Sequence, residues 1–471
     1  MKKLLKSRML SILVVFALVF SVASLAVAPA VSAGKAKQPV KNIIYFIGDG
    51  MGFSSIALAK YYSLFVLGEE LNMTKVMNKG STAYMTSNSA DHIVTDSAAA
   101  GTALATGYKT NNGMISMTPD GIPLITILEK AQRMGKSTGN VSTTRLTHAT
   151  PACFASHNIN RNNENEIAVD MLEHNVTVQL AGGRRNFIPQ SMKGSKRKDN
   201  RNLLTEASGL GYTVVQNANE FRAVDAEDTD KLLGLFTMSH VSYEIDRDPA
   251  KEPSLAEMVQ KAIEILSKNP NGFFLHVEGG RIDHAEHVSD VAGTLHDTLA
   301  FDDAIGVALE YLKKDPNTLI VVTADHDTGG MTLTQGKPAG EKMGYMTVTN
   351  LRRLSKITAS FDDFISKEVT KAPNLAAIKA IVKKYTDIDI TDEEAQGIKG
   401  AKPWMPVFSN QPGNWIGRAL SDELKVTFPT GHHSAEILLL CGVGPYSKML
   451  TGFLDNTDPA KIMSKAFGAG Y

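Results

Sequence analysis

Three apolar, β-branched segments of the chain are each followed directly by residues that can act as ligands, acidic in all three places and joined by histidines in two. The segments cover residues 42–47, 272–277 and 318–322. Continuous apolar runs of this length are typical of strands that are buried on both faces, as in a parallel sheet. Helical patterns at 255–266 and 294–312 lie between them. This order predicts βαβ units and an α/β fold, with a large, mostly parallel central sheet covered by helices on both faces.

The polar clusters predict a site at one edge of that sheet. In such sheets, ligands bind beyond the carboxyl ends of the strands, so the three clusters should converge there. Asp49 follows the first strand. Asp283 and His287 are four residues apart, so on a helix they share a face and can bind one ion. Asp325 and His326 are adjacent at a strand end, and zinc accepts such oxygen and nitrogen ligands.

A run of small residues at 98–107 follows Thr95, Asp96 and Ser97. It predicts a helix that begins at or near Ser97. The N-terminus of a helix offers free N–H groups and a favourable field to an anion. A metal ion beside the hydroxyl would activate Ser97 as a nucleophile. The alternative is that Thr95 or Ser97 only caps the helix.

Composition excludes several classes of protein. With 43% hydrophobic and 21% charged residues the chain should fold, and 49 Lys and Arg balance 49 Asp and Glu. No broad basic surface is therefore expected, and nucleic acid is not expected as a dedicated partner. Cys153 and Cys441 could pair in an oxidising compartment, but two buried free thiols are the favoured interpretation.

Residues 1–33 have the pattern of a signal peptide, with basic residues, an apolar run and small residues ending at Ala33. The alternative is an uncleaved membrane anchor. Cleavage would leave residues 34–471 as an exported domain, periplasmic or secreted, with no stable membrane insertion.

The segment 331–425 differs from the rest because it lacks strong buried-strand runs. Leu375, Ile378 and Val382 are spaced for one helix face, and Thr391 with Glu394 forms a possible capping box. We expect an inserted, crown-like or cap-like subdomain, or a dimer contact.

Taken together, these motifs resemble those of the alkaline phosphatase family, in the family's order, from about residue 40 to about residue 447. The segment 331–425 is least covered. The matching motifs are Gly48-Asp49-Gly50-Met51-Gly52, Thr95-Asp96-Ser97-Ala98-Ala99-Ala100-Gly101-Thr102-Ala103, His148-Ala149-Thr150-Pro151-Ala152 with Arg161 beyond it, the stretch 278–287, and Thr323-Ala324-Asp325-His326.

The resemblance implies a role for each matching residue. Ser97 would be the nucleophile that becomes a phosphoserine, Arg161 would clamp two phosphate oxygens, and Asp96 would orient Arg161. His148 and His284 would lie near the substrate. The implied metals are two Zn²⁺ and one Mg²⁺ per subunit. Their implied ligands are Asp49, Asp325 and His326 for the zinc that activates Ser97, Asp283, His287 and His433 for the second zinc, and Asp49, Thr150 and Glu278 for magnesium.

Two points of the match to the family need separate argument: the last histidine ligand, and the residues at positions 148 and 284. His432 and His433 are adjacent, and counting back from Gly444 favours His433 as the ligand. That residue precedes a strand, so it lies on a loop reaching over the site or its strand runs antiparallel. His148 and His284 replace the Asp and Lys of the most familiar bacterial members, as in animal enzymes and some other bacterial ones. The identity of the third metal and the direct phosphate contacts therefore stay open.

The implied function is an exported, metal-dependent phosphomonoesterase. It would hydrolyse small phosphate monoesters at alkaline pH through a phosphoserine, release inorganic phosphate, and act as a homodimer. The alternatives are a phosphodiesterase or sulfatase of the same superfamily, and a non-catalytic phosphate- or zinc-binding protein.

Overall fold

A ten-stranded sheet forms the centre of the computed structural model, which describes residues 38–336 and 344–470. The predicted signal peptide and its cleavage site lie outside the described residues. In chain order the strands are β1 (Asn42–Gly48), β2 (Ser81–Thr86), β3 (Ser137–Arg145), β4 (Val178–Gly182), β5 (Thr213–Val215), β6 (Leu232–Leu235), β7 (Phe273–Gly279), β8 (Thr318–Ala324), β9 (Leu438–Val443) and β10 (Gly452–Asp455).

The sheet is mixed but mostly parallel, in the order β10-β2-β9-β8-β1-β7-β3-β4-β6-β5. Helices flank it, which confirms the predicted α/β class. The α-helices are Phe53–Tyr62, Asn72–Lys79, Ser97–Thr106, Ile127–Arg133, Ala149–Ala155, Glu164–Glu173, Leu203–Gly209, Ala218–Ala223, Leu255–Leu266, Arg281–His287, Val291–Lys314, Val348–Leu354, Ser366–Val369, Leu375–Thr386, Asp392–Gly400, Gly413–Leu424 and Asp458–Phe467.

The three predicted strands lie side by side at the middle of the sheet. Every residue of β1, β7 and β8 is buried, as expected for apolar runs in a sheet covered on both faces. Their parallel register pairs Gly48 with Gly279 on one side and with Ala324 on the other. The three strands therefore end level with one another, and the polar residues that follow them emerge at one place.

The strand after the adjacent histidines runs in the opposite direction to its neighbours. β9 pairs antiparallel with both β8 and β2, so the antiparallel alternative of the prediction is confirmed. His433 precedes β9 in a two-residue strand, His433–Ser434, which pairs with Asp327–Thr328 just beyond β8. An antiparallel strand begins at the edge where its parallel neighbours end, which brings the histidine to the polar clusters.

Both cysteines are buried free thiols, which confirms the favoured interpretation. Cys441 lies on β9. Cys153 lies on helix Ala149–Ala155, and a Cβ added at Gly101 would come within 3.0 Å of its Sγ. Small residues in helix Ser97–Thr106 therefore allow the two helices to pack closely.

The segment after β8 contributes most of a second apolar cluster. That cluster joins residues from Leu351 to Val426 with Leu58 and Tyr62 of an early helix and Val291 and Leu295 of the long helix. The predicted helix face forms part of helix Leu375–Thr386, and the predicted capping box is present. Two asparagines tie the segment to the sheet edge, since Asn410 and Asn414 donate from Nδ2 to the His287 carbonyl at 3.1 and 2.9 Å.

In the part of the chain that the structure describes, none of the helices has both the length and the apolar character needed to span a membrane.

Candidate active site

Ser97 is the first residue of a buried helix, and its hydroxyl faces the polar clusters. Asp96 is the N-cap, since its Oδ1 accepts the N–H of Ala99 at 2.9 Å. The alternative that Thr95 or Ser97 only caps the helix is therefore wrong. The Ser97 Oγ lies 3.3 Å from His326 Nε2. The hydroxyl stands at the positive end of a helix and is free of a capping role.

Arg161 reaches the same place from the loop beyond helix Ala149–Ala155. Its Nη1 donates to Asp96 Oδ2 at 3.0 Å, and its Nη2 lies 3.3 Å from His148 Nε2. The same Asp96 oxygen accepts the Gly113 N–H at 3.0 Å. Asp96 thus links the start of the helix to the guanidinium group, and a planar fork held in this way suits two oxygens of a phosphate.

Asp49, Asp325 and His326 form a first group of potential metal ligands, with one donor atom from each within 4.8 Å of the others. His326 Nε2 lies 3.4 Å from Asp49 Oδ1 and 3.2 Å from Asp325 Oδ2. Backbone N–H groups fix the second carboxylate, because Gly50 and His326 donate to Asp325 Oδ1 at 3.1 and 2.9 Å. All three side chains are fully buried.

Asp283, His287 and His433 form a second group. The Nε2 atoms of His287 and His433 lie 3.3 and 3.6 Å from Asp283 Oδ1. The other ring nitrogens lie 2.7 and 2.9 Å from the carbonyl oxygens of Gly431 and Thr95. A carbonyl can only accept, so each Nδ1 is protonated and each Nε2 is available as a ligand, the usual arrangement of zinc-binding histidines.

His432, the alternative to His433, is exposed. Its ring stands 6.4 Å from that of His287, whereas the His433 ring stands 5.1 Å from it and stacks on His326 at 3.6 Å. The structure brings His433, and not its neighbour, to the predicted group.

A third group of potential ligands shares Asp49 with the first group. Its members are Asp49, Thr150, Glu278 and His148. Donor atoms of Asp49, His148 and Glu278 lie within 4.8 Å of one another, and Thr150 Oγ1 lies 3.5 Å from Asp49 Oδ2. Glu278 is held by hydroxyl groups on β3. Ser142 donates to its Oε2, as does Thr144 at 3.0 Å. Asp49 thus stands between two groups of ligands.

The electrostatics of the first and third groups favour bound cations. Burial raises the pKa of Asp49 well above its usual range, and the charge of Asp325 raises it further. Burial likewise raises the pKa of Asp325 and of Glu278. Among the described residues, Asp49 Oδ1, Asp325 Oδ2, Glu278 Oε1 and His148 Nδ1 are buried without a hydrogen-bond partner. Buried acceptors without donors are destabilising, so the residues present fit divalent cations.

Sequence reasoning assigned no role to three groups that the structure places at or near the site. The His240 ring lies 4.3 and 5.5 Å from the rings of His284 and His148, on a loop whose sequence carries no signal of this. Thr328 Oγ1 donates to Asp283 Oδ1 at 2.6 Å, and the only available signal was its position three residues after Asp325. Ser142 supports Glu278 from a neighbouring strand.

Carboxylates, imidazoles, a serine at a helix N-terminus and an arginine held by Asp96 lie together at one edge of an α/β sheet. This arrangement defines a metal-dependent phosphoryl-transfer enzyme. Comparisons with known proteins give the family. The family model described as alkaline phosphatase matches residues 40–469. Alkaline phosphatase 4 of Bacillus subtilis is 33% identical, over 99% of this chain and 98% of its own.

Solved structures agree with the sequence comparisons. The alkaline phosphatase of Thermus thermophilus is 32% identical, with a TM-score of 0.84 over 93% of each chain. A cold-active alkaline phosphatase from a psychrophilic Shewanella species is 30% identical, with a TM-score of 0.75 over 90% of this chain and 99% of its own. The chain belongs to the alkaline phosphatase family and is a metal-dependent phosphoric monoester hydrolase.

Proposed function

We propose that the chain is an exported alkaline phosphatase that hydrolyses phosphate monoesters at alkaline pH through a phosphoserine at Ser97. The observation that carries the proposal is the position of the Ser97 hydroxyl. It lies at the start of a helix, 3.3 Å from His326 Nε2 and beside a guanidinium group that Asp96 holds in place. The residues proposed as nucleophile, phosphate clamp and metal ligands share one edge of the sheet.

The proposed metals are two Zn²⁺ and one Mg²⁺ per subunit. Asp49, Asp325 and His326 would hold one zinc, and Asp283, His287 and His433 the other. Magnesium prefers oxygen ligands, and Asp49, Thr150 and Glu278 would supply them. When bound, such cations supply Lewis-acid stabilisation of the charge on the transferred phosphoryl group.

The protein's own residues position the substrate for in-line transfer. Arg161 would bind two phosphoryl oxygens through its planar fork, with His148 and His284 lining the same region. The Ser97 Oγ would attack phosphorus, the alcohol would depart, and water would then attack the phosphoserine and release inorganic phosphate. Because phosphoryl transfer relies mainly on positioning and charge stabilisation, the rigid burial of these groups suits the reaction.

Relative rates on three aryl esters would test the proposed substrate class. We expect the monoester to be hydrolysed far faster than the corresponding diester or sulfate, since a dianionic phosphoryl group best matches the positive charge of three divalent ions and Arg161. A diester or sulfate hydrolysed faster than the monoester would contradict the proposal and favour one of the alternative hydrolases. Phosphate binding without turnover of any ester would favour a non-catalytic protein.

Export is part of the proposal and rests on the signal-peptide pattern of residues 1–33.

The segment 331–425 is proposed as an inserted crown-like or cap-like subdomain. Its second apolar cluster and its asparagine contacts with the His287 carbonyl support a role in holding helix Arg281–His287 in place.

We also propose a homodimer, supported by an exposed aromatic patch at the edge of the sheet. Phe453 on β10 is the parallel register partner of Tyr84 on β2, so the two side chains share a face. The Tyr84 ring lies 6.1 Å from that of Phe53, and Tyr84 and Phe453 are 54% and 64% exposed. Contiguous apolar patches on soluble proteins commonly mark interfaces, and a two-fold dimer is the commonest assembly.

A charge in this patch should separate the subunits. We expect Tyr84→Glu to sediment as a monomer where the unaltered protein sediments as a dimer, because an interfacial carboxylate would be desolvated without a partner. Ile122→Glu, at an apolar residue of similar exposure that is not part of the patch, is the matched control and should leave the dimer intact. A dimeric Tyr84→Glu variant would contradict this choice of interface.

A further inference from the structure

A second cluster of histidines and a carboxylate lies outside the catalytic groups. Glu129 lies on helix Ile127–Arg133, His157 just beyond helix Ala149–Ala155, and His174 at the end of the next helix. One donor atom from each of the three lies within 4.8 Å of the others. Their side chains are 16 to 20% exposed, so a small ion can reach them from solvent.

Backbone carbonyls determine the tautomer of both imidazoles. His157 Nδ1 lies 2.9 Å from the Ser116 carbonyl oxygen, and His174 Nδ1 lies 2.8 Å from that of Asp170. Each Nδ1 therefore carries a proton and donates it. In the neutral rings, each Nε2 is left with a lone pair. Nδ1 donation to a carbonyl is the outer-shell arrangement that orients metal-binding histidines.

Both lone pairs point at one carboxylate oxygen. The Nε2 atoms of His157 and His174 lie 3.2 and 3.3 Å from Glu129 Oε1. Two lone pairs cannot face a carboxylate oxygen without positive charge between them, so the cluster requires two protons or one cation. Burial alone would lower the pKa of each histidine, yet the neighbouring Glu129 raises both. Asp170 also raises the pKa of His174, whereas the two rings oppose each other's protonation.

The spacing of the three side chains fits a bound metal ion. A charge-assisted N–H···O bond is usually about 2.7–2.9 Å long, shorter than both distances. Ligands about 2.0–2.1 Å from a tetrahedral zinc lie about 3.3 Å from one another, close to the distance of each Nε2 atom from Glu129 Oε1. The other oxygen of Glu129, Oε2, accepts the Thr126 N–H at 2.8 Å. This bond orients the carboxylate and leaves Oε1 available to a metal ion.

We propose that Glu129 Oε1, His157 Nε2 and His174 Nε2 form an additional zinc site, separate from the catalytic centre, with its fourth position open to water. Zinc bound at this site would link three helices. One of them, Ala149–Ala155, carries Thr150 and begins directly after His148. Since no residue of the catalytic groups takes part, the site would be structural and not catalytic.

Zinc content of the holoenzyme tests this site. The unaltered protein and the His174→Ala and Glu129→Gln variants would be dialysed against micromolar zinc and millimolar magnesium at about pH 8, where free histidine is neutral. Metal per chain would then be measured by mass spectrometry. We expect each variant to hold one zinc equivalent fewer than the unaltered protein, with aryl phosphate hydrolysis essentially unchanged. Glu129→Gln keeps an oxygen to accept the Thr126 N–H, so it should fold.

His92→Gln is the matched control. His92 also pairs with a carboxylate, at 3.0 Å from Asp91 Oδ1, but without a second histidine. It should retain the full zinc content. Zinc should also raise the melting temperature of the unaltered protein and not that of His174→Ala. Equal zinc contents in the unaltered protein and both variants would overturn the site in favour of two protons. An equal loss in His92→Gln would show adventitious binding to surface histidines and would also overturn it.

Discussion

Alanine in place of Ser97 should lower kcat/KM for an aryl phosphate at least a hundredfold while the metal content stays the same. The change removes only the Oγ, which lies near His326 Nε2, and it leaves the carboxylates and imidazoles of all three ligand groups in place. Without the hydroxyl, the covalent step has no nucleophile. A hundredfold loss corresponds to about 2.7 kcal/mol of transition-state stabilisation.

Ser63→Ala is the control for this substitution. Its hydroxyl is also buried and donates to the Glu69 carbonyl at 3.0 Å, away from the polar clusters, so its removal should leave turnover near that of the unaltered protein. Undiminished turnover by Ser97→Ala, with metals retained, would contradict the nucleophile assignment.

Asp49→Asn should have opposite effects on activity and on the stability of the metal-free protein. Asp49 stands between two ligand groups, so losing its charge should weaken two metal sites. Because cations supply several kcal/mol of charge stabilisation in such reactions, we expect activity to fall about a thousandfold or more. In the metal-free protein, however, burial and the charge of Asp325 both oppose ionisation of Asp49, so replacing its carboxyl by a neutral amide should raise the melting temperature.

Activity, metal content and melting temperature with and without a chelator would measure both effects. Asp302→Asn is the matched control, since Asp302 is buried but accepts the N–H groups of Asn72 and Met73 at 2.7 Å each. It should lower the melting temperature in both states and retain its metals. A metal-free Asp49→Asn protein less stable than the metal-free unaltered protein would contradict the view that these carboxylates need cations.

The centre of the fold could be predicted because its signals are local. The apolar runs that become β1, β7 and β8 are continuous, and the ligand clusters follow them within a few residues. Parallel strands in register end at one edge, so adjacency in space follows from chain pattern and strand direction. His433 was favoured over His432 from the sequence, but how it reaches the site was not, because the direction of β9 is set by pairing with distant strands.

The groups that the sequence did not reveal depend on contacts between distant parts of the chain. His240 and His284 are far apart in sequence, and nothing local distinguishes His240 from an ordinary polar residue. The same holds for His174, whose partners Glu129 and His157 lie on other elements. Asn410 and Asn414 are in turn-rich sequence, yet they hold the carbonyl of His287. Such contacts arise from tertiary packing, which periodicity does not encode.

The most direct test of the central claim is to trap the covalent intermediate. The holoenzyme would be mixed with an aryl phosphate, quenched in acid and digested, and the peptides mapped by mass spectrometry. We expect one added phosphoryl group on the peptide that contains Ser97, located at that residue by fragmentation and absent from Ser97→Ala. A phosphoryl group at another residue, or none at all during active turnover, would contradict the proposed phosphoserine mechanism.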